Sequence, residues 1–366
     1  MHARRFLALT LLTAFCFQVP LPVQGQARLE DFPIDATMRT KVIAAALKEL
    51  KERYVFPDVA EKMEKAVHER MERKEYDEVT SSAKLCTMLT DHLREVCKDK
   101  HLRVLCGESG PRVLRRPSTG NDREEMRRFM AARNFGFEKL ERLPGNIGYL
   151  DLRGFNPAAE AGETAAAAMG FLANTDALII DLRKNGGGDP AMVALLCSYL
   201  FDQSTHLNDI YNRVGNTTKQ FWTLPYVPGK KYIGKEVYIL TSNYTFSGAE
   251  EFTYNLKNLK RATIIGETTG GGAHPVGMFP LAEKFRIVVP VARAINPITK
   301  TNWEGTGVTP DVPVPAAHAL KTAQVMALKK QLEKTTNEEF KKGLQDALRD
   351  VEKELEELKG AKSAAK

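Results

Sequence analysis

The sequence predicts an α/β fold: a mixed sheet covered by helices on both faces, with helical segments before and after it. Three observations carry this. From residue 147 onward, short apolar runs of strand length alternate with helix-forming stretches. Residues 28 to about 100 hold only helical periodicity, and so does the chain from about 316. The hydrophobic share, 43% of 366 residues, is ample for a packed core.

Taken in order, residues 1–27 stand apart. Arg4 and Arg5 precede an apolar run over 6–17 that is short for a membrane span, and small residues follow at Gly25 and Ala27. This reads as a signal peptide (1–27) cleaved near Gly25 or Ala27, which predicts a periplasmic or secreted protein with no stable membrane insertion after cleavage. Cys16 follows the bulky Phe15, so no lipid anchor is expected. Cys86, Cys97, Cys106 and Cys197 match no zinc spacing; they read as buried free thiols, with disulfide pairing in an oxidising compartment as the alternative.

Residues 28–106 are expected to form a helical cap. Asp35 caps a helix with Val42, Ile43, Ala46, Leu47 and Leu50 on one side, and Pro57 stops it. Asp58 is expected to cap a second helix, striped by Val59, Met63, Val67 and Met71. Ser81 or Ser82 starts a third, carrying Leu85, Leu89 and Leu93. Residues 107–146, polar and rich in Gly, Pro and Arg, read as a linker or flap with one helical patch over 122–137. The α/β core spans 147–315, with strands at 147–152, 177–182, 237–240, 262–265 and 285–291. A C-terminal helical segment covers 316–366, where Phe340, Leu344, Leu348, Val351, Leu355 and Leu358 form a docking stripe.

Two turns could carry chemistry. The first is Asn185-Gly186-Gly187-Gly188, between a buried strand and a helix. It lacks both GxGxxG and GxxxxGK[ST], which argues against a nucleotide site. Its glycines either make a plain structural turn or point an N–H into a cleft. The second lies in residues 237–256, where an apolar strand gives way through Ser242 and Ser247 to a helix. Either serine can cap that helix, and a hydroxyl at such a junction can also serve as a nucleophile beside backbone N–H groups. The net charge of +7 is interleaved with acidic residues, so no nucleic-acid partner is expected.

Together these motifs resemble those of the S41 serine peptidases, which include tail-specific processing proteases, tricorn core proteases and retinoid-binding modules. The resemblance rests on the ordered runs beginning at Tyr54, Asp99, Ile147, Asp181, Thr245, Gly266 and Gly305, and covers most of residues 40–315. It implies a crotonase-like (ClpP/crotonase) core and a peptide or protein substrate; no cofactor or metal is expected. The sequence carries no signal of oligomeric state. By resemblance Ser247 is the nucleophile, with Gly187 and Gly248 as oxyanion-hole donors. Processing proteases of the family activate serine with a lysine, but Gly272 occupies that position here. A PDZ domain is also excluded, since the roughly forty residues of 107–146 are too few. The tricorn-like branch implies instead His101 as general base and Glu304 as its orienter, with His274 as the rival base. The expected function is therefore serine peptidase. The alternative is a non-catalytic binding module for an apolar ligand or unfolded peptide on the same fold.

Overall fold

The computed structural model describes residues 31–107 and 120–363; the signal-peptide reading lies outside them. The elements are α1 (Ala36–Arg53), α2 (Pro57–Glu72), α3 (Ser82–Cys97), β1 (Arg103–Cys106), α4 (Gly120–Ala131), β2 (Phe137–Leu143), β3 (Ile147–Leu152), α5 (Ala158–Leu172), β4 (Ala177–Asp181) and α6 (Pro190–Ser198). There follow β5 (His206–Asn212), β6 (Thr217–Trp222), β7 (Glu236–Thr241), α7 (Gly248–Asn258), β8 (Thr263–Gly266), β9 (Val276–Pro280), β10 (Phe285–Pro290), β11 (Ala292–Ile295), β12 (Val312–Pro313), α8 (Ala316–Lys334) and α9 (Glu338–Ser363).

The central sheet has the order β12-β8-β7-β4-β3-β2. Only β2 runs antiparallel to its neighbour. Period-two alternation decides which helices cover which face. Leu178, Ile180 and Ile239 pack against Ala165, Met169, Val193 and Phe252 from α5, α6 and α7. Ile179, Tyr238 and Leu240 face the other way, onto Ala319, Ala323 and Leu328 of α8 and Leu344 and Val351 of α9. Both faces being covered explains why β4 is buried at every position. Each such Leu or Ile contributes about 1.5–3 kcal/mol of transfer free energy.

The N-terminal helices follow their sequence signals. Asp35 accepts the Met38 N–H at 2.7 Å, Ser81 accepts that of Lys84 at 3.1 Å, and the apolar stripes are buried. The second cap differs: Pro57 occupies the first helical turn and Phe56 the cap position, so Asp58 lies inside α2. These helices do not form a bundle alone. They share a core with an antiparallel sheet of order β1-β10-β9, in which Phe285, Ile287 and Val289 supply the floor. The 285–291 run is thus a strand as expected, but in the cap's sheet rather than the central one.

Three further differences concern exposed elements. Part of the expected linker is β2, the antiparallel edge of the central sheet, and residues 206–222 form the β5–β6 hairpin joined to β11. Both β2 and β6 are edge strands with mostly solvated side chains, so they lack an apolar signature. On α9 the stripe is buried at Leu344, Val351 and Leu355, whereas Phe340 is exposed. The four described cysteines are free thiols. Among the described residues no helix is long and apolar enough to cross a membrane.

Candidate active site

Two turns meet at the C-terminal ends of β4 and β7. Asn185, fully buried, holds them together: its Nδ2 donates to Leu152 O at 2.9 Å, and its carbonyl accepts the Phe246 N–H at 3.1 Å. Thr245 Oγ1 donates to Leu182 O at 2.8 Å, and Ser242 Oγ to Arg183 O at 2.6 Å. Ser242 is therefore a structural brace. Ser247 begins the next turn with φ 55° and ψ −122°, a conformation that a residue bearing a Cβ adopts only under constraint. The constraint is Glu250, whose Oε2 accepts the Ser247 N–H at 2.8 Å. The same buried carboxylate accepts from Thr269 Oγ1 and from the N–H groups of Gly271 and Gly272. Burial raises its pKa, with those hydrogen bonds pulling the other way.

The glycine turn lies against this junction. A Cβ on Gly187, which has φ +100°, would stand 2.8 Å from Ser247 Cβ and 2.6 Å from the Gly248 nitrogen, so only glycine allows the approach. The Gly187 N–H, expected as an oxyanion donor, instead donates to Asn185 Oδ1 at 2.8 Å. The neighbouring N–H of Gly188 has no acceptor among the described residues, nor has that of Gly248 at the first position of α7.

His101 arrives from the other layer, on the loop between α3 and β1. Lys98, in the left-handed conformation, ends α3. Asp99 Oδ1 accepts the His101 N–H at 2.9 Å, and Arg94 holds the Leu102 carbonyl at 2.7 Å. The imidazole then lies on the Phe246 ring, centroids 4.6 Å apart, one residue from Ser247. Burial depresses its pKa to about 4, opposed by the Asp99 charge.

Glu304 completes the group. Its Oε2 accepts the Ala273 N–H at 2.6 Å and lies 3.4 Å from His274 Nδ1. Burial first, then the Asp99 charge, pushes its carboxyl up to about 7, while His274 pulls it down. One ligand atom each from Asp99, His101 and Glu304 lie within 4.8 Å of one another. The structure thus brings His101 and Glu304 together, and the residue packed on the imidazole, Phe246, precedes Ser247 in the chain. No hydrogen bond joins Ser247 Oγ to either among the described residues. His274 is differently placed, its Nδ1 paired with Asp99 Oδ2 at 2.6 Å and its ring edge-on to Phe56.

Gly272 bears on the choice of base. A Cβ there would stand 2.2 Å from Phe246 Cζ and 2.6 Å from His101 Cε1, so the space a lysine would cross is filled by these rings. Sequence reasoning gave no role to Asp99, Phe246, Asn185 or Glu250. Only Glu250 carried a local signal, the S-x-x-E spacing of a capping box from Ser247.

Known proteins resemble the chain in these regions. The model of peptidase family S41 matches residues 146–314, and that of the N-terminal domain of the S41 peptidase in eukaryotic IRBP matches 36–136. Carboxyl-terminal-processing peptidase 2, chloroplastic, of Arabidopsis thaliana is 28% identical over 196 residues. That match covers 48% of this chain and only 35% of the relative. Among solved structures, one from Parabacteroides merdae provisionally described as a peptidase aligns with TM-score 0.54 at 17% identity. It covers 76% of this chain and 90% of its own. A lipoprotein from Streptococcus agalactiae aligns with TM-score 0.51 at 17% identity, covering 82% and 98%. At these identities the likeness shows the mixed α/β fold. The two family models, meeting the chain in their natural order across the cap and the central sheet, show that it belongs to peptidase family S41.

Proposed function

We propose that the chain is a serine peptidase that hydrolyses peptide bonds through an acyl-enzyme, on a crotonase-like core. The observation that carries this is Ser247, held at φ 55° at the start of α7 with the His101 imidazole packed one residue away. Ser247 Oγ attacks the peptide carbonyl while His101 Nε2 takes its proton, then returns it to the leaving amine. Glu304 orients the ring from the Nδ1 side and stabilises the imidazolium. The oxyanion falls to the N–H of Gly248 and, since that of Gly187 is engaged by Asn185, to the N–H of Gly188. Asp99 and His274 act behind this group as positioning residues. Cap and core each supply part of the triad, so a peptide would bind between them. The apolar leader over 6–17 supports export to a periplasmic or secreted location.

A fluorophosphonate probe followed by peptide mapping tests the assignment. Modification of Ser247, lost in Ser247→Ala, is the expected result. An unreactive protein with a bound peptide or apolar ligand would replace this reading with the binding module, and modification of Ser242 would move the nucleophile.

A further inference from the structure

Ligand atoms of two carboxylates gather around the His101 imidazole. His101 is 7% exposed, and its Nδ1 has no hydrogen-bond partner among the described residues. Glu304 Oε1 is likewise buried without one. Asp99 Oδ1 lies 3.8 Å from His101 Nδ1 and, although it accepts one N–H, keeps a second lone pair. A tetrahedral ion with bonds of about 2.1 Å sets its ligand atoms about 3.4 Å apart, so the three side chains, whose ligand atoms lie within 4.8 Å of one another, would draw in slightly around it. One imidazole and two carboxylates suit a borderline metal, whereas Mg2+ requires an octahedron of oxygens.

We propose that Asp99, His101 and Glu304 form an inhibitory binding site for a divalent transition metal of the Zn2+ type. The site leaves the fourth coordination position to water. Its consequence for catalysis rests on the reading of His101 as the base. Coordination at Nδ1 transfers the ring proton from Nδ1 to Nε2, the atom that must accept the proton of Ser247. It also withdraws Glu304 from its orienting role. No electron moves, and the metal acts as a reversible block rather than as a cofactor.

Binding is measured by calorimetry of Zn2+ into the Ser247→Ala protein, where turnover plays no part. One ion per chain is expected, undisturbed by millimolar Mg2+. Affinity should fall at least tenfold on adding Glu304→Gln or Asp99→Asn, each checked for folding by thermal melting. Peptide hydrolysis by the unsubstituted protein should be lost at saturating Zn2+ and recovered with a chelator. Absence of stoichiometric binding, or binding indifferent to both substitutions in folded protein, overturns the site. Binding without inhibition overturns its regulatory role. A protein whose Ser247 never reacts with the fluorophosphonate loses the peptidase reading instead, and the calorimetry still decides the metal.

Discussion

The loop that presents Ser247 and the loop that presents His101 are held in different ways. Ser247 sits between consecutive elements, β7 and α7, and its strained backbone is held by a carboxylate three residues later. His101 sits between the cap's helices and β1, and its neighbours Phe246, His274 and Glu304 are all far away in sequence. The proposed nucleophile is thus built by local chain geometry, the proposed base by tertiary assembly. Damage to the first region should act through the backbone. Damage to the second should act through protonation and orientation.

The largest test of that contrast compares the two histidines. If His101 is the base, His101→Ala should lower kcat/KM about as much as Ser247→Ala, on the order of 10⁴–10⁶-fold, because triad members act as a unit. His274→Ala should keep most of its activity at high pH, since the ring of His274 is engaged with Asp99. Steady-state kinetics on folded variants decides it. The reverse pattern would make His274 the base.

A smaller effect lies in the pH profile. His101, with its pKa depressed to about 4, is already neutral in mildly acidic solution, whereas Glu304, raised to about 7, is not yet ionised. The active form needs a neutral imidazole and an ionised carboxylate. Activity should therefore rise with pH, with its limb near 7 set by Glu304. Glu304→Gln should remove that limb and lower the plateau by ~10²–10⁴-fold. Because His274 favours the charged form of Glu304, His274→Ala should move the limb to higher pH. A limb unchanged in Glu304→Gln would assign it to another group.

The same contrast explains what could be read in the sequence. Ser247 was legible because strand, turn, glycine and helix follow one another along 237–256, and the apolar runs of β3, β4 and β7 are buried on both faces. His101 and Glu304 became candidates only through resemblance, since a loop histidine and a loop glutamate have no local signature. Asp99 and Asn185 stayed silent because their roles exist only after layers or turns 33 to 175 residues apart have met. The expectation for Gly187 failed for a related reason. Glycine marked the close approach, but the Asn185 side chain decided which N–H remained free.

The smallest predicted effect probes the seam between the two regions. Gly272 is where the backbone held by Glu250 passes under the Phe246 and His101 rings. In Gly272→Ala the new methyl would sit 2.2 Å from Phe246 Cζ and 2.6 Å from His101 Cε1, so both rings must shift. Overpacking of this kind costs about 1–3 kcal/mol, which should appear as a modest drop in melting temperature. The catalytic loss should be larger than that drop implies, since a displacement of about 1 Å at the base costs up to ~10²-fold. Melting, kcat/KM and the rate of fluorophosphonate modification measured on the same preparation separate the two. Slower modification in a folded variant would show the base displaced from Ser247. Unchanged modification with a lowered melting temperature would mean that the rings yield away from the nucleophile, and that the His101–Phe246 contact stabilises the fold without setting the position of the base.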